Sequence, residues 1–524
     1  MTSLVPHDPH HGDPLAHDAL TVLQPGFTGT TAPDWLLRRL AEGLTCVGLF
    51  ARNIAHPEQL ARLTEQLRKE RPEVVVAMDE EGGDVTRLEA RTGSSYPGNL
   101  ALGTVDDPDL TRAVAHELGT RLAHCGVNLN WAPSADVNSN PDNPVIGVRS
   151  FGATPDHVAR HTAAYVEGLQ AAGVAACAKH FPGHGDTALD SHHDLPLIEV
   201  DADTLQAREL IPFRAAVAAG AQAVMSAHIL VPALDPDRPG TLSPAVLGDL
   251  LRAPESQGGL GYQGLIVTDG MEMRAITARW GLEEGSVRAL AAGADALCVG
   301  GGLADEETVL RLRDALLEAV REGRLPEQRL ADAARRVRVL AQWARDARQG
   351  LAEPPARPDA PGELGLHAAR RALRVTTATE HRPAREPLYV ASLTPRANIA
   401  VGDQTPWGVG PELSRLLPGT ATDSYGAPDD EGEPLPRMLA AAGDRRIVAV
   451  VRDAHRHPWM AGTLDALVAS RPDTVVVEMG VPQSAPVGAL HIATHGAARV
   501  CGQAAAERIV GARASTPEPS GTET

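Results

Sequence analysis

The chain has 524 residues, of which 43% are hydrophobic and 22% are charged. These fractions are typical of a soluble globular protein, so wholesale disorder is excluded, and the length favours two or three domains. The basic and acidic residues give a formal net charge of −19 at pH 7. A surface this acidic argues against nucleic acid or an anionic membrane as a partner.

The N-terminal residues lack the basic and apolar regions of a secretory signal, and no stretch reaches the ~18 apolar residues of a transmembrane helix. The five cysteines are an odd number without close pairing, which is typical of buried thiols in a reducing compartment. We therefore expect a cytoplasmic protein. Residues 1–19, with several histidines among Pro and Asp, are predicted to form a flexible leader.

From about residue 20, short apolar runs alternate with segments of helical period. The predicted strands are Thr21–Phe27, Thr45–Phe50, Glu73–Met78, Val127–Ala132, Val174–Lys179, Gln222–Ser226, Leu265–Asp269 and Ala294–Gly300. The predicted helices include Pro57–Lys69, Asp109–His124, Pro155–Ala172, Gln206–Ala219 and a closing helix, Pro326–Gln349. Such alternation indicates parallel strands, and eight of them are enough to close a barrel. The sequence therefore predicts a TIM-type (β/α)8 catalytic barrel over residues 20–349.

A proline-rich linker is predicted at residues 350–364. Beyond it, new strand and helix patterns indicate a smaller α/β sandwich domain over residues 365–513. These patterns are the strands Pro387–Leu393, Arg446–Val451, Thr474–Met479 and Leu490–Thr494 and the helix Thr463–Ala469. The acidic, Pro-rich segment Asp423–Arg437 is predicted to be a loop, and residues 514–524 a disordered tail.

Ionisable residues follow five consecutive predicted strands of the barrel. Because active sites of α/β barrels form at the carboxyl ends of the strands, we expect these side chains to share one face. Helix caps or salt bridges explain one or two such residues more easily than all five. The segments are Asp79–Gly83, Asn138–Pro144 with Arg149, Lys179–Asp186, Ser226–His228 and Thr268–Asp269.

Lys179 stands out on composition, since Lys69 and Lys179 are the only lysines among 48 basic residues. Lys69 lies in a charged helical run, whereas Lys179 ends a strand that is predicted to reach the site. A chain this rich in arginine is expected to keep a lysine where a planar guanidinium cannot replace a compact ammonium.

The densest polar segment is KHFPGHGDTALDSHHDLP, from Lys179 to Pro196. It has three interpretations: a polar glycine-rich loop, a metal site or a proton-transfer loop. A metal site is disfavoured because proline and glycine prevent His180 and His184 from sharing a helix face. In an extended segment, residues i and i+2 share a face, so Asp190 and His192 can pair. A carboxylate that orients an imidazole raises its basicity and suits general acid–base catalysis.

Asp269 ends the apolar strand GLIVTD. A carboxylate facing a loop with an acid–base group is the arrangement of retaining glycoside hydrolysis. One group attacks the anomeric carbon, and the other protonates the leaving oxygen. Charged side chains at the neighbouring strand ends would then hold sugar hydroxyls by charge-assisted hydrogen bonds. The candidates are Asp79, Arg87, Arg149, Lys179 and His180.

Five separated motifs, in the same order, resemble those of one known family. They are LFARNI, DEEGGDVTRL, NPVIGVRSFG, KHFPGHGDTALDSHHDLP and VTDGM. Together they resemble glycoside hydrolase family 3, specifically its β-N-acetylglucosaminidase (β-N-acetylhexosaminidase) branch, over residues 20 to 345 approximately. The region after the linker resembles the family's second domain only in its alternation of strands and helices.

The resemblance implies a role for each candidate residue. The nucleophile maps to Asp269, and the acid–base group is a dyad on a mobile loop that maps to Asp190, Ser191 and His192. The N-acetylglucosamine contacts map to Asp79, Arg87, Arg149, Lys179 and His180. No cofactor and no metal are expected. The implied activity is that of a retaining exo-β-N-acetylglucosaminidase acting on cell-wall muropeptides or chitin-derived glycoconjugates.

Three alternatives stay open. A phosphorylase would use the same nucleophile with phosphate as acceptor, which a histidine acid–base group does not repel. A β-glucosidase of the same family is disfavoured, since that branch typically takes its acid–base group from a carboxylate. A sugar-binding protein without catalysis is disfavoured because the nucleophile and the dyad are intact.

Two positions depart from the family's pattern. Asp84 stands where the family commonly has arginine, and Val148 where it commonly has aspartate. Both adjoin predicted sugar contacts, so both bear on the specificity for the aglycone or a second sugar.

Overall fold

The computed structural model describes residues 12–187, 195–350, 362–378, 382–395, 405–428 and 432–512. They form an α/β protein with two units, each built around its own sheet. The first unit contains parallel strands that pair in chain order, and the second contains a mixed sheet.

The strands of the first unit coincide with the predicted apolar runs. They are β1 Leu23–Pro25, β2 Cys46–Leu49, β3 Val75–Met78, β4 Leu129–Asn130, β5 Ala175–Phe181, β6 Ala223–Ser226, β7 Leu265–Thr268 and β8 Leu297–Val299. Strands β2 to β7 form a parallel sheet in sequential order, and β1 pairs with β8, also in parallel. Between β7 and β8, the Thr268 amide donates to the Ala296 carbonyl at 3.0 Å. The sheet is therefore curled, with helical crossovers between successive strands.

The helices of the first unit are α1 Pro14–Thr21, α2 Asp34–Glu42, α3 Pro57–Glu70, α4 Asn99–Val105, α5 Pro108–His124, α6 Pro155–Ala171, α7 Ala202–Thr204, α8 Leu210–Ala218, α9 Arg274–Trp280, α10 Leu282–Ala292, α11 Glu306–Arg321 and α12 Glu327–Gly350. A π-helical turn, Leu205–Glu209, leads into α8. In α3, the buried residues Leu60, Leu63 and Leu67 recur every three or four positions and face the core together. The predicted helices of this unit are confirmed, with ends that shift by a few residues.

Alternation along the strands divides the apolar core of this unit into two layers. On β3, Val76 and Met78 belong to the large cluster that includes the helices. Val75 and Ala77 belong to a smaller cluster on the other face of the sheet. Successive strand residues point to opposite faces, so one β-rich run supplies both layers.

The first correction concerns the N-terminal residues. The sequence predicted a flexible leader over residues 1–19, but helix α1 begins at Pro14 and buries Ala19 and Leu20. Asp13 caps the first turn with its side chain, and proline is well suited to the first position of a helix. Helix α1 packs against α12. Burial of the apolar face of α1 therefore stabilises a helix here, although the composition is typical of loops.

The second unit has a sheet in the order β11–β10–β12–β13–β14–β9, with β9 antiparallel to its neighbour. Its strands are β9 Arg374–Thr377, β10 Tyr389–Leu393, β11 Ala421–Tyr425, β12 Ile447–Val451, β13 Val475–Glu478 and β14 Leu490–Ala493. Its helices are α13 Glu363–Ala372, α14 Gly410–Leu416, α15 Pro434–Ala442, α16 Pro458–Ser470 and α17 Arg499–Val510. On β12, Val448 and Val450 join one apolar cluster and Ile447 and Ala449 the other, so both faces of this sheet are covered.

The prediction of a loop over Asp423–Arg437 is wrong at both ends. Strand β11 continues to Tyr425, and helix α15 begins at Pro434. The strand was missed because it is a sheet edge whose residues are mostly exposed, so no apolar run marks it. The helix lies at the end of a Pro-rich segment, and its first proline is compatible with a helix because proline is favoured in the first helical turn.

The two units contact each other through apolar residues such as Ala368 and through charged and polar side chains. Arg371 lies 2.8 Å from the carboxylate of Asp107, and Arg374 donates to the Thr104 carbonyl at 2.6 Å.

Within the described part of the chain, we find no helix with both the length and the apolar character required to cross a bilayer.

Candidate active site

A cavity of about 470 Å³ opens at the carboxyl ends of the first unit's strands. This is the end at which parallel α/β sheets place their active sites. Trp131, Met225 and Cys298 belong to the inner apolar cluster and also line the cavity. The charged and ionisable residues that line it are Asp79, Glu81, Arg87, Arg149, Lys179, His180, His184, Asp269, Glu272 and Arg274.

Lys179 is buried near the end of β5, with 2% of its surface exposed. Its ammonium nitrogen lies 2.6 Å from Asp79 Oδ1 and 2.7 Å from Glu81 Oε1. Burial disfavours the charged ammonium, but the two carboxylates outweigh burial and raise the pKa of Lys179. Lys179 is therefore a fixed positive charge in the cavity wall.

Arg149 holds the other side of Glu81. Its Nη2 lies 2.7 Å from Oε1 and its Nε 3.0 Å from Oε2, which is the two-pronged geometry that guanidinium and carboxylate favour. Burial alone would raise the pKa of the Glu81 carboxyl, but the charges of Arg149 and Lys179 hold it well below its usual range. With Arg87 at 3.9 Å from Asp79, the wall is a chain of alternating charges.

Asp136 orients the histidine at the end of β5. Its Oδ2 lies 2.7 Å from His180 Nδ1, and its Oδ1 accepts from the backbone amide of His180 at 3.1 Å. Burial would raise the pKa of Asp136, but the neighbouring His180 lowers it. A carboxylate at Nδ1 favours the tautomer with hydrogen on Nδ1. His180 Nε2 is then an acceptor, and it lies 3.4 Å from Arg149 Nη2.

His184 is a second buried histidine in the cavity wall. Its Nδ1 lies 2.9 Å from the hydroxyl oxygen of Thr187. Its Nε2 is buried and has no hydrogen-bond partner among the described residues. Burial, together with the nearby His180, lowers the pKa of His184 to about 4, so the ring is neutral at pH 7.

Asp269 follows β7 directly. Its amide donates to the Ser226 carbonyl at 3.1 Å, which ties it to the end of β6. Its Oδ1 accepts from the Gly270 amide at 2.7 Å. Three residues later, Glu272 Oε1 accepts from the backbone amide of Gly300 at 3.1 Å. Backbone amides therefore orient both carboxylates on this side of the cavity.

The structure brings together Asp269 and all five predicted sugar contacts, since Asp79, Arg87, Arg149, Lys179 and His180 line the same cavity. Their roles in binding and catalysis stay predictions. The predicted dyad, Asp190, Ser191 and His192, lies outside the described residues.

Glu81 and His184 line the cavity and Asp136 holds His180 from behind it, and none of these three residues was assigned a role from the sequence. Glu81 was within reach of sequence reasoning, because it stands two positions after Asp79 and so shares its side of an extended chain. His184 lies in the motif that was singled out. Asp136 lies six positions beyond the end of β4, and no local pattern distinguishes it from a turn residue.

Of the two departures from the family's pattern, Asp84 has partners in the second unit. Asp84 is buried and forms an ion pair with Arg452 of the second unit, and its Oδ1 accepts from the Ala497 amide at 2.7 Å. Val148 is buried in the turn that carries Arg149. Among the described residues that line the cavity, neither Asp84 nor Val148 is present. At Asp84, the departure therefore concerns the contact between the units.

Comparisons with known proteins agree with this geometry. A β-hexosaminidase A from Pseudoalteromonas piscicida is 34% identical over 317 residues, which cover 56% of this chain and 52% of that protein. The chain thus spans about half the length of that relative. A β-hexosaminidase from Alkalilimnicola ehrlichii is 37% identical over 253 residues, covering 47% of this chain and 71% of that protein.

Solved structures extend the likeness to both units. A glycoside hydrolase family 3 β-N-acetylglucosaminidase from Paenibacillus sp. str. FPU-7 superposes with a TM-score of 0.84 at 34% identity, covering 95% of this chain and 97% of that chain. A β-glucoside phosphorylase, BglX, superposes with a TM-score of 0.74 at 18% identity, which shows a shared fold.

The family expected from the motifs is confirmed by a direct match. The model described as the glycosyl hydrolase family 3 N terminal domain matches residues 31–340, the part of the chain that holds the cavity and every residue described in its wall. The chain belongs to glycosyl hydrolase family 3.

Proposed function

We propose that this protein is a retaining exo-β-N-acetylglucosaminidase that removes terminal β-linked N-acetylglucosamine through a covalent glycosyl-aspartate intermediate. The observation that carries the proposal is the cavity itself, which combines Asp269 with the buried charges of Lys179 and Arg149. The likeness to a β-N-acetylglucosaminidase over nearly the full length of both chains supports the same activity.

Asp269 is the nucleophile in this proposal. The Gly270 amide holds one carboxylate oxygen at 2.7 Å, which orients the group. The carboxylate attacks the anomeric carbon, the glycosidic bond breaks, and water later releases the sugar with the original anomeric configuration. Asp269 directly follows strand β7, so the attacking group is held next to a rigid element.

The wall of alternating charges binds the sugar. Lys179 and Arg149 donate to sugar hydroxyls, and Asp79 accepts from them. The existing ion pairs hold these side chains in place before the substrate arrives, so little conformational entropy is lost on binding. His180, oriented by Asp136, adds an acceptor nitrogen on the same side.

The acid–base group is His192, oriented by Asp190. Both residues belong to the segment that follows Thr187, whose hydroxyl oxygen lies 2.9 Å from the cavity residue His184. His192→Ala should slow substrates with poor leaving groups by about 10²–10⁴-fold and aryl glycosides with good leaving groups far less, because these need little protonation. Equal losses on both substrate types would contradict the assignment.

At the level of the fold, the proposal includes a closed (β/α)8 barrel followed by an α/β sandwich domain. Two features support closure: the pairing of β1 with β8, and the hydrogen bond from the Thr268 amide of β7 to the Ala296 carbonyl just before β8.

The proposed substrates are muropeptide or chitin-derived glycoconjugates, and the proposed location is cytoplasmic. The described cysteines are all buried, which suits a reducing compartment.

Product analysis tests the activity. The purified protein is incubated with 4-nitrophenyl N-acetyl-β-glucosaminide with and without inorganic phosphate, and the products are identified by NMR. We expect free N-acetylglucosamine, released first as the β-anomer, in both reactions. A glycosyl phosphate that replaces free sugar would assign a phosphorylase instead. Turnover of the glucoside but not of the N-acetylglucosaminide would assign a β-glucosidase.

A further inference from the structure

A cluster of metal-binding side chains lies outside the cavity, where helices α4, α5 and α6 meet. His157 and His161 are four positions apart on α6 and so share one face of the helix. Asp106 follows the last residue of α4 and turns its carboxylate toward both rings. None of these three residues lines the cavity.

The distances fit a tetrahedral ion. Asp106 Oδ1 lies 3.3 Å from His157 Nδ1 and 3.4 Å from His161 Nε2. Ligands held about 2.0–2.1 Å from a zinc ion at tetrahedral angles are about 3.3–3.4 Å apart. The three ligand atoms all lie within 4.8 Å of one another.

The surroundings orient the cluster. The hydroxyl oxygen of Thr111 lies 2.8 Å from His161 Nδ1, which fixes the ring with its Nε2 toward Asp106. A partner on the far nitrogen is the usual support of a metal-binding histidine. Phe151 stacks on the same ring, with centroids 5.3 Å apart. Asp106 is half exposed, which leaves room for a water ligand.

Arg160 competes for the same carboxylate. Its Nη2 lies 2.9 Å from Asp106 Oδ1 and 3.3 Å from His157 Nδ1. The side chain is 52% exposed, so it can move away at small cost when an ion arrives. In the metal-free protein, Arg160 therefore supplies the positive charge that an ion would otherwise supply.

We propose that Asp106, His157 and His161 form a site for Zn²⁺ or a similar transition-metal ion, separate from the active site. Two imidazoles and one carboxylate suit such an ion, whereas Mg²⁺ and Ca²⁺ prefer oxygen ligands. The ion joins the junction of α4 and α5 to α6, beside Phe151. Because Phe151 follows Arg149 by two residues, the site supports the segment that carries a sugar contact.

The test is a zinc titration of the full chain in competition with a chromophoric chelator. His7, His10 and His11 are replaced by alanine in every sample, so that they cannot contribute. We expect one equivalent of tight binding and a rise of several degrees in the unfolding midpoint. His157→Ala and Asp106→Asn should each weaken binding at least tenfold, whereas the control His56→Ala, at an exposed histidine, should not. Thermal unfolding without zinc confirms that each variant is folded.

Arg160→Gln provides the second, independent measurement. If Arg160 competes with the ion, its removal should tighten zinc binding several-fold. If the cluster is only an ion-pair network, the variant should bind no zinc and should only be less stable. Absence of stoichiometric binding in the parent chain, or equal binding by His157→Ala, would overturn the proposal.

Discussion

The two sides of the cavity hold their charged groups in different ways. On the side built by β3 to β5, Glu81 lies between Lys179 and Arg149, so carboxylates and cations alternate and are buried. On the β7 side, Asp269 and Glu272 accept hydrogen bonds from backbone amides. A group that binds hydroxyls needs a fixed charge, whereas a nucleophile needs an electron pair to give away. Under the proposed function, the first side binds the sugar and the second side supplies the nucleophile.

The largest effect is expected on the β7 side. Asp269→Ala should lower kcat by several orders of magnitude because it removes the attacking group. The fold should stay intact, since Lys179, Glu81 and Arg149 keep their ion pairs with one another. Added azide should restore turnover from the vacated side and release an α-glycosyl azide. Activity near that of the parent protein would remove Asp269 from the mechanism.

A smaller effect is expected for Lys179→Arg, which keeps the charge but changes its shape. The ammonium fits between Asp79 and Glu81 in a buried wall, and a larger planar group would displace its neighbours or the sugar. Loss of a charge-assisted hydrogen bond should lower kcat/KM about ten- to a hundred-fold, nearly as much as Lys179→Ala.

The comparison of Lys179→Arg with Lys179→Ala separates two roles. Lys179→Ala should also lower the unfolding midpoint, because it removes one cation from a buried network. If Lys179 served only to pair with Asp79 and Glu81, the arginine variant would keep full kcat/KM. That result would contradict a direct contact with the sugar.

A substitution at the contact between the units should affect substrate binding less than the substitutions of Lys179. Asp84 lies on the segment between the predicted sugar contacts Asp79 and Arg87 and pairs with Arg452 of the second unit. Asp84→Asn keeps the shape but removes the charge that neutralises Arg452, so KM should rise several-fold with little change in kcat. The control is Arg371→Ala, which breaks an exposed ion pair between the units that is worth about 0–1 kcal/mol. Equal effects of both variants would show that Asp84 has no special role.

The last effect is expected on stability, as a dependence on pH, and not on activity. Burial lowers the pKa of His184 to about 4 from the value of 6.5 that the unfolded chain has. Its contribution to stability is therefore complete above pH 6.5 and is lost as the pH falls toward 4, by about 3 kcal/mol. His184→Gln should flatten the dependence of the unfolding midpoint on pH in this range, whereas His116→Gln, at an exposed position, should not. An unchanged pH dependence in His184→Gln would contradict a buried neutral ring.

Much of the first unit could be predicted because its strands are apolar on both faces. Runs such as Val75–Met78 are visible without knowledge of the fold, and the barrel rule then places Asp79 and Asp269 at one end. Strands β9 and β11 could not be predicted, because they lie at the edges of the second sheet and expose most of their residues.

The residues of the candidate site were likewise predictable only in part. Motif residues such as Lys179 and Asp269 carry unusual chemistry at strand ends and were found. The partners that hold them were not, because the pairing of Asp136 with His180 joins residues that are 44 positions apart. Asp84 shows the same limit, since its partner Arg452 lies 368 positions away in another unit.

Trapping the intermediate tests the central claim most directly. The protein is incubated with an activated, slowly turned-over 5-fluoro derivative of N-acetyl-β-glucosaminyl fluoride, then digested and sequenced by mass spectrometry. We expect a mass increase of one glycosyl residue on the peptide that contains Asp269, and none in Asp269→Ala. A label on Glu272 or on another carboxylate, or turnover with an inverted product and no label, would contradict the account.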